Sequence, residues 1–315
     1  MQIRGGAVEL GNLIVPDSVL ALLGPDALIE SPPGFKWAAV ELARRTGAKV
    51  SGRPVWGSCD VGLADAEYMK ARRIVHLGHG VPPNIAHLLR KNTGGSLERI
   101  DVDTYLLKTE RVEAYFVPVY YVPPPSLPRP PLGKIYFPVP YRLIAEELAL
   151  QHSMEVAREP ITGCWVGEPP GASAVVVSSG YFYPLAVKLF YPDAEVWGYD
   201  PFKGRSYPVE GEFRRLMGLK GRAYLSNRER VVVLVSRKPG QMQIEEAERA
   251  AAETGGVLIE VDEASPELLD DLGADLIINT ACPRIGFDDQ DRMRTPVINL
   301  RELEGFKPQN IVRLL

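Results

Sequence analysis

The stretch RVVVLVS (230–236) is a run of β-branched and apolar residues, and it predicts a buried strand. A helical pattern follows at 241–254, and then come the strand pattern GVLIEVD (256–262), a helical pattern at about 266–272 and the strand pattern ADLIINT (274–280). Strands that alternate with helices in this way are typical of βαβ units, in which the strands lie parallel in one sheet. This part of the chain therefore predicts an α/β fold.

The same alternation of strand and helix patterns occurs twice earlier in the chain. The first pass contains the strand patterns ALIES (27–31), AKVSGRPVWG (48–57) and RRIVHLGHG (72–80), with a helical pattern at about 34–46. The second follows the proline-rich segment YVPPPSLPRPP (121–131) and contains the strand patterns KIYFPVP (134–140), MEVAREPITG (154–163), AVVVSSG (174–180) and EVWGYD (195–200), with helical patterns at 141–151 and about 182–190. We therefore predict three pseudo-equivalent domains, 1–110, 111–205 and 206–315, each a mostly parallel sheet flanked by helices.

The composition is that of an ordinary globular protein. The 315 residues are 45% hydrophobic and 24% charged, and the net charge of −4 argues against a broad nucleic-acid-binding face. No apolar run approaches the roughly 20 residues that span a bilayer, and the first residues lack the apolar core of a signal peptide. We therefore expect a cytoplasmic protein that binds neither nucleic acid nor membrane directly.

Each of the three passes contains one cysteine. Cys59, Cys164 and Cys282 lie in the contexts VWGSCD, ITGCWVG and INTACPRI, each after a strand pattern and beside turn-forming residues. Ligands of parallel α/β sheets collect at the carboxyl ends of strands, and three thiolates at one point suit iron–sulfur or zinc chemistry. The alternative is that each cysteine is a small buried hydrophobe, which is common for free cysteine. The spacing leaves both interpretations open.

The motifs around the cysteines resemble those of a known enzyme family. WGSCDVGLAD (56–65), VHLGHG (75–80), VLVSRKPGQ (233–241) and NTACPRIGFDD (279–289) are similar, in matching order, to the diphthamide-synthesis enzymes. These are the 2-(3-amino-3-carboxypropyl)histidine synthases, and the similarity is greatest to the archaeal single-gene form. The resemblance implies three similar domains that meet at a central iron–sulfur site, and it implies a homodimer.

The resemblance also implies a cofactor and a reaction. Cys59, Cys164 and Cys282 would be the metal ligands of a 4Fe-4S cluster and would act in catalysis through it. The reaction is reductive cleavage of S-adenosylmethionine between sulfur and the methionine γ-carbon, which releases 5′-methylthioadenosine and a 3-amino-3-carboxypropyl radical. The radical attaches to C2 of a histidine imidazole in translation elongation factor 2, and an electron donor is a further implied partner. The compact CxxxCxxC loop of ordinary radical enzymes that use this cofactor is absent.

The turn after RVVVLVS contains candidates for binding S-adenosylmethionine. Ser236, Lys238, Gly240 and Gln241 form a strand-to-helix turn, and backbone amides near a helix N-terminus favour a carboxylate. The side chain of Gln241 can donate or accept hydrogen bonds to the amino-acid part of the cofactor. The alternative is that this turn only starts a helix, with Lys238 in solvent. The resemblance favours the binding role.

Other candidates follow from their position near strand ends. Arg284 could bind the methionine carboxylate, and it could equally pair with the acidic residues at 288–289. His79 lies between two glycines after an apolar strand pattern, where a histidine is usually a hydrogen-bonded structural residue. Ser179 and Gly180 occupy the equivalent strand end of the second pass and could line the same cavity.

Two other functions fit parts of the sequence. The first is a three-cysteine 4Fe-4S enzyme that acts as a Lewis acid, of the quinolinate synthase type, because that family also draws one cysteine from each of three α/β domains. The second is a zinc-binding or metal-free α/β protein with three incidental cysteines. Nucleotide binding through a GxGxxG fingerprint or a GxxxxGK(S/T) loop is not expected, because neither motif is present in the required context.

Overall fold

The structure of the chain, a computed structural model, describes residues 6–315. Its strands are β1 (Ala7–Leu10), β2 (Leu13–Pro16), β3 (Ala27–Glu30), β4 (Lys49–Val50), β5 (Arg73–Leu77), β6 (Ser96–Asp101), β7 (Thr104–Lys108), β8 (Glu113–Val117), β9 (Tyr120–Tyr121), β10 (Lys134–Tyr136), β11 (Ser173–Val177), β12 (Glu195–Asp200), β13 (Arg205–Pro208), β14 (Val231–Ser236), β15 (Val257–Val261), β16 (Leu276–Asn279) and β17 (Val297–Asn299). Its α-helices are α1 (Lys36–Thr46), α2 (Leu63–Tyr68), α3 (Pro83–Thr93), α4 (Arg142–His152), α5 (Phe182–Phe190), α6 (Glu210–Tyr224), α7 (Ile244–Thr254), α8 (Pro266–Asp271) and α9 (Pro308–Val312).

The described residues divide into two compact units. The first contains residues 6–129, Phe137–Pro160 and Lys238–Gly240, and the second contains Pro130–Tyr136, Ile161–Arg237 and Gln241–Leu315. The short segment Lys238–Gly240 is notable, because it belongs to the first unit although the chain on both sides of it belongs to the second.

The first unit is built on a six-stranded sheet with the order β4-β3-β5-β8-β7-β6 and a three-stranded antiparallel sheet, β1-β2-β9. In the larger sheet β4, β3, β5 and β8 are parallel, β7 pairs antiparallel with β8, and β6 pairs antiparallel with β7. Every residue of β3 is buried, as expected for a parallel strand covered on both faces. Helix α1 packs against β3 and β4, where Ala38 and Leu42 join Ile29 and Val75 in the core. It ends at Gly47, whose φ of 75° is the left-handed conformation that suits glycine.

The second unit contains two four-stranded sheets. One has the order β10-β11-β12-β13 and is parallel except for β13; the other has the order β15-β14-β16-β17 and is parallel throughout. Along β14, Val232 and Leu234 pack in one core cluster, while Val231 and Val233 pack in another together with Ala247 of α7. The apolar run at 230–236 therefore supplies both buried faces of one strand.

The predicted α/β fold with several mostly parallel sheets flanked by helices is confirmed. Each pass contributes one of these sheets, and the domain limits 1–110, 111–205 and 206–315 stay a prediction. The strand predicted at 154–163 is wrong: this described segment contains no strand, although Val156 is a bridge residue and an isolated bridge joins Thr162 to Trp165. The strand predicted at 48–57 is limited to Lys49–Val50, and Pro54 lacks the N–H that a ladder needs. None of the described helices is long and apolar enough to cross a membrane.

A buried ion pair connects α4 to the turn between β6 and β7. Arg142 donates to Asp103 through Nε over 2.5 Å and through Nη2 over 2.7 Å. Both side chains are buried, and Asp103 has a left-handed φ of 56°. Tyr120 adds a donated hydrogen bond to the same carboxylate over 3.4 Å. Since a buried carboxylate that loses its cation is strongly unfavourable, this pair anchors the turn.

We expect Arg142→Met to lower the free energy of unfolding by about 3–5 kcal/mol, because the Asp103 carboxylate would stay buried without its partner. Urea denaturation followed by circular dichroism measures the change. Arg99→Met is the matched control, since the ion pair of Arg99 with Glu159 is exposed and should contribute about 1 kcal/mol or less. Equal losses in the two variants would contradict the anchoring role of Arg142.

Candidate functional site

Cys59 is held by a segment from far along the chain. It lies in the 3-10 turn Ser58–Asp60 and is partly buried. The Gly240 amide donates to the Cys59 carbonyl over 3.0 Å. A Cβ atom on Gly240 would stand 2.7 Å from the Cys59 Cβ and closer still to its Cα, so this approach requires glycine. The predicted turn at 238–240 is therefore packed directly on the first cysteine.

Lys238 forms a buried ion pair with the residue next to Cys59. Its Nζ lies 3.0 Å from Asp60 Oδ2, and both side chains are buried. Arg53 Nη1 binds the other oxygen of Asp60. Burial raises the pKa of Asp60, while Lys238 and Arg53 oppose that rise. The alternative that places Lys238 in solvent is thus wrong, and its role toward S-adenosylmethionine stays a prediction.

Arg53 connects this ion pair to a second buried carboxylate. Its Nε donates to Asp65 Oδ2 over 2.8 Å, and its Nη2 lies 3.6 Å from Glu30 Oε1. The Gly62 amide donates to the same Glu30 oxygen over 3.0 Å. Burial raises the pKa of Glu30 to about 7, with Arg53 acting in the opposite direction. A single guanidinium therefore contacts three acidic groups around the Cys59 turn.

His79 ends a row of three hydrogen-bonding side chains, of which Glu30 and His76 are buried and His79 is partly exposed. Glu30 Oε2 lies 3.2 Å from His76 Nδ1, and His76 Nε2 lies 2.9 Å from His79 Nδ1. Burial lowers the pKa of His76 to about 3 and lowers that of His79 well below its usual value. Both imidazoles are therefore neutral, and His79 is positioned by hydrogen bonding, as the structural interpretation of the sequence expected.

Cys164 lies on a loop of the second unit. It is partly buried, and Thr162 Oγ1 lies 3.6 Å from its Sγ. Gly163 lies against the ring of Phe182, where a Cβ atom would overlap the ring. The ring of Phe182 is stacked on that of Phe287, with centroids 5.6 Å apart. The loop that carries the middle cysteine is thus packed against Phe182 at the start of α5, and that ring in turn stacks on Phe287 after the third cysteine.

Cys282 follows β16 and is held by an asparagine. Asn279 Nδ2 donates to the Cys282 carbonyl over 2.8 Å, and Asn279 Oδ1 accepts from the Ala281 amide over 3.0 Å. Arg284 Nε donates to Asp288 Oδ2 over 2.7 Å. The Arg284 guanidinium also lies 5.2 Å from the centroid of the Phe182 ring. The acidic pairing expected as one alternative for Arg284 is made, and carboxylate binding by it stays a prediction.

The remaining candidates of the second unit lie at strand ends. Ser179 and Gly180 are exposed after β11, and Tyr207 donates to the Gly180 carbonyl over 2.7 Å. Ser236 and Gln241 are both buried. Helix α7 begins at Ile244, three residues after Gln241. The sequence predicted that the turn adjoins the helix N-terminus and its backbone amides, but the two are separated. The binding roles of these four residues stay predictions.

The cysteines suit an iron–sulfur cluster in their chemistry. All three are partly exposed, and thiolate is the ligand that such clusters use. Within residues 6–315, no group of three or more His, Cys, Asp or Glu side chains is placed to hold a metal ion. The assignment of Cys59, Cys164 and Cys282 to one cluster therefore stays a prediction that rests on the donor type and on the motifs.

Several residues of the site were not among the sequence candidates. Glu30 directly follows the apolar run ALI (27–29), and a charged residue there signals a buried pair or network. Arg53 lies in a pattern that also contains Lys49 and Ser51 and gives no such signal. Asp60 adjoins Cys59 and carries no separate signal. Gln243 donates to the Thr280 carbonyl over 2.9 Å, while its Oε1 is buried with no hydrogen-bond partner among the described residues.

The family is decided by comparison with known proteins. The sequence profile of the family described as "Putative diphthamide synthesis protein" matches residues 144–308, which is just over half of the chain. The chain belongs to the diphthamide synthesis family. The resemblance inferred from the cysteine motifs is thereby confirmed, and it gives this protein a role in diphthamide biosynthesis.

Solved structures share the fold of this family member. A crystal structure of Dph2 from Pyrococcus horikoshii with a 4Fe-4S cluster has a TM-score of 0.67 and 20% identity, over 95% of this chain and 90% of that chain. A second crystal structure of Dph2 from Pyrococcus horikoshii has a TM-score of 0.65 and 21% identity, over 95% and 91% of the two chains. No curated protein matches this sequence.

We expect Gly240→Ala to displace the 238–240 segment from Cys59, because the new methyl group would overlap the Cys59 backbone. The free energy of unfolding should fall by about 1–3 kcal/mol, and iodoacetamide should alkylate Cys59 faster. Gly218→Ala is the matched control, since a Cβ atom there meets open space on α6. The close packing of this segment is disproved if the two variants unfold alike and Cys59 reacts at an unchanged rate.

Glu30 should make stability depend on pH. Its folded-state pKa is raised from 4.5 to about 7, so the folded chain holds a proton that the unfolded chain releases in this interval. The Glu30 contribution to the free energy of unfolding should therefore fall by about 3 kcal/mol as the pH rises from 4.5 to 7, at about 1.4 kcal/mol per pKa unit. Urea denaturation of the wild type and of Glu30→Gln at a series of pH values measures this change. The free energy of unfolding of the wild type should fall relative to that of the variant as the pH rises, whereas an equal pH dependence in the two proteins would refute the prediction.

Proposed function

We propose that the chain catalyses the first step of diphthamide biosynthesis. In this reaction the 3-amino-3-carboxypropyl group of S-adenosylmethionine moves to C2 of a histidine imidazole in translation elongation factor 2. One electron breaks the bond between sulfur and the γ-carbon, 5′-methylthioadenosine leaves, and a carbon–carbon bond forms at C2. The C2 hydrogen then departs as a proton and one electron is given back, so the net transfer consumes no electron. The observation that carries the proposal is the set of three cysteines, each in the motif context of a diphthamide synthesis family member.

Cys59, Cys164 and Cys282 would hold a 4Fe-4S cluster through their thiolates. Support comes from their partial exposure, from the all-sulfur donor set, and from the fold shared with a Dph2 structure that contains such a cluster. When bound, a cluster with three protein ligands supplies an electron and an iron with an open coordination position to S-adenosylmethionine.

The surrounding residues would position the thiols and the cosubstrate. The 238–240 segment fixes the backbone of Cys59, and Asn279 fixes that of Cys282. Arg284 would meet the methionine carboxylate through its guanidinium while Asp288 holds its Nε. The remaining contacts to the cofactor are assigned to the motif residues at strand ends, namely Ser236, Lys238, Gly240, Gln241, His79, Ser179 and Gly180.

The partners follow from the proposed reaction. Elongation factor 2 is the protein substrate, and an electron donor is required for reductive cleavage. We also propose a homodimer, because the family resemblance implies one. We propose a cytoplasmic location, because the protein substrate is a translation factor.

The test is a product assay with the protein purified and reconstituted without oxygen. Addition of dithionite and S-adenosylmethionine should yield 5′-methylthioadenosine and an aminocarboxypropyl product, both detected by mass spectrometry. Alanine in place of Cys59, Cys164 or Cys282 should abolish turnover and impair cluster binding, because each change removes one thiolate ligand. Denaturation curves of the three variants serve as the control for folding.

Two outcomes would count against the proposal. A reducible cluster that leaves S-adenosylmethionine intact, even with elongation factor 2 present, would favour the Lewis-acid alternative of the quinolinate synthase type. Full activity of Cys164→Ala would remove Cys164 from the ligand set.

A further inference from the structure

The row Glu30–His76–His79 is created by the sheet and by one glycine. Glu30 on β3 is the direct neighbour of His76 on β5 in the parallel register, so their side chains lie on the same face. Gly78 has a φ of 83° and lies against the Phe35 ring, where a Cβ atom would stand 2.8 Å away. The chain therefore turns sharply after β5, and His79 Nδ1 comes within 2.9 Å of His76 Nε2.

The hydrogen bonds of this row can be arranged in only two ways. A neutral imidazole has one nitrogen that donates and one that accepts. If Glu30 is ionised, it accepts from His76 Nδ1, so His76 Nε2 accepts from His79 Nδ1 and leaves His79 Nε2 without a proton. If Glu30 is protonated, it donates to His76 Nδ1, every bond reverses, and His79 Nε2 carries the proton.

We propose that Glu30 and His76 are positioning residues that set the tautomer of His79. When Glu30 is ionised, His79 Nε2 accepts a hydrogen bond from the α-ammonium group of the cosubstrate S-adenosylmethionine. The tautomer control stands on the geometry alone, whereas the ammonium ligand rests on the proposed function. An unprotonated Nε2 attracts an ammonium group, and an Nε2–H opposes it, because both would be donors.

The groups that surround the row keep both arrangements accessible near neutral pH. Burial raises the pKa of Glu30 to about 7, and the charge of Asp65 adds to that rise. Arg53, the Gly62 amide and Lys36 lower the pKa of Glu30 and so oppose the rise. Burial lowers the pKa of His76; Arg53 and Lys36 lower it further, whereas Asp60 raises it. The pKa of His79 is lowered by burial and by His76. The two rings thus stay neutral while Glu30 titrates, and the signal passes along the row as a change of tautomer.

Glu30→Gln is the most informative substitution. The Gly62 amide donates to Glu30 Oε1, so the amide oxygen of a glutamine would take that place and its NH₂ would face His76. This donor imitates the protonated carboxyl group and holds His79 Nε2 in the protonated form at every pH. His76→Phe is a second variant, since a phenylalanine ring keeps the contact with Phe116 and removes the relay.

The tautomers are measured by ¹⁵N NMR of the full chain labelled at histidine, which has only four histidines to assign. In the wild type, the His79 Nε2 signal should move from the protonated to the unprotonated range as the pH rises through the Glu30 pKa, and the Nδ1 signal should move in the opposite direction. In Glu30→Gln and in His76→Phe this titration should be absent. A wild-type His79 that keeps one tautomer throughout overturns the proposal, and this measurement requires no variant to fold.

The ligand is tested by equilibrium binding of S-adenosylmethionine and of 5′-methylthioadenosine, which lacks the ammonium group. Affinity for S-adenosylmethionine should rise about tenfold or more across the Glu30 titration in the wild type and should stay flat in Glu30→Gln. Affinity for 5′-methylthioadenosine should not change. If S-adenosylmethionine fails to bind at any pH, the proposed function and the ammonium ligand fall, while the NMR titration still decides the relay. If it binds with the same pH dependence in Glu30→Gln as in the wild type, the ammonium assignment to His79 is overturned.

Discussion

The Asp60 carboxylate holds the Cys59 turn in place through two cations. Arg53 binds one of its oxygens and Lys238 binds the other, and the group is almost completely buried. A carboxylate in that position without partners would cost several kcal/mol, so the conformation of the turn requires both cations. Lys238 lies 178 residues after Asp60 in the chain, and its ion pair keeps Gly240 in contact with the Cys59 backbone.

Arg53 extends this arrangement to the histidines. Its planar guanidinium binds Asp60 and Asp65 and lies within 3.6 Å of Glu30, a geometry that the point charge of a lysine would not reproduce. Glu30 is in turn the first member of the row that ends at His79. The cysteine turn and the candidate cofactor-binding histidine are therefore parts of one buried polar network in the first unit. Networks of this kind are rigid only when every member has its partner.

Three of the correctly predicted strands are buried along all or nearly all of their length, whereas β15 was also predicted although most of it is exposed. β3, β14 and β16 appear in the sequence as continuous apolar runs, because neighbours cover both sides of a central parallel strand. The antiparallel ribbon β6–β8 gives no such signal, since β6 is almost entirely exposed. The segment 154–163 has a strand-like pattern but no strand, because local patterns do not specify whether an edge is available for pairing.

The sequence by itself determined the α/β class, the family and the three cysteine contexts, because these depend on local patterns and on motif order. Tertiary structure alone decided that Lys238 pairs with Asp60 and that Glu30 pairs with His76. The first contact joins residues that are remote in the chain, and the second depends on the register of β3 against β5. A shift of that register by one residue would place the two side chains on opposite faces, and no sequence pattern records it.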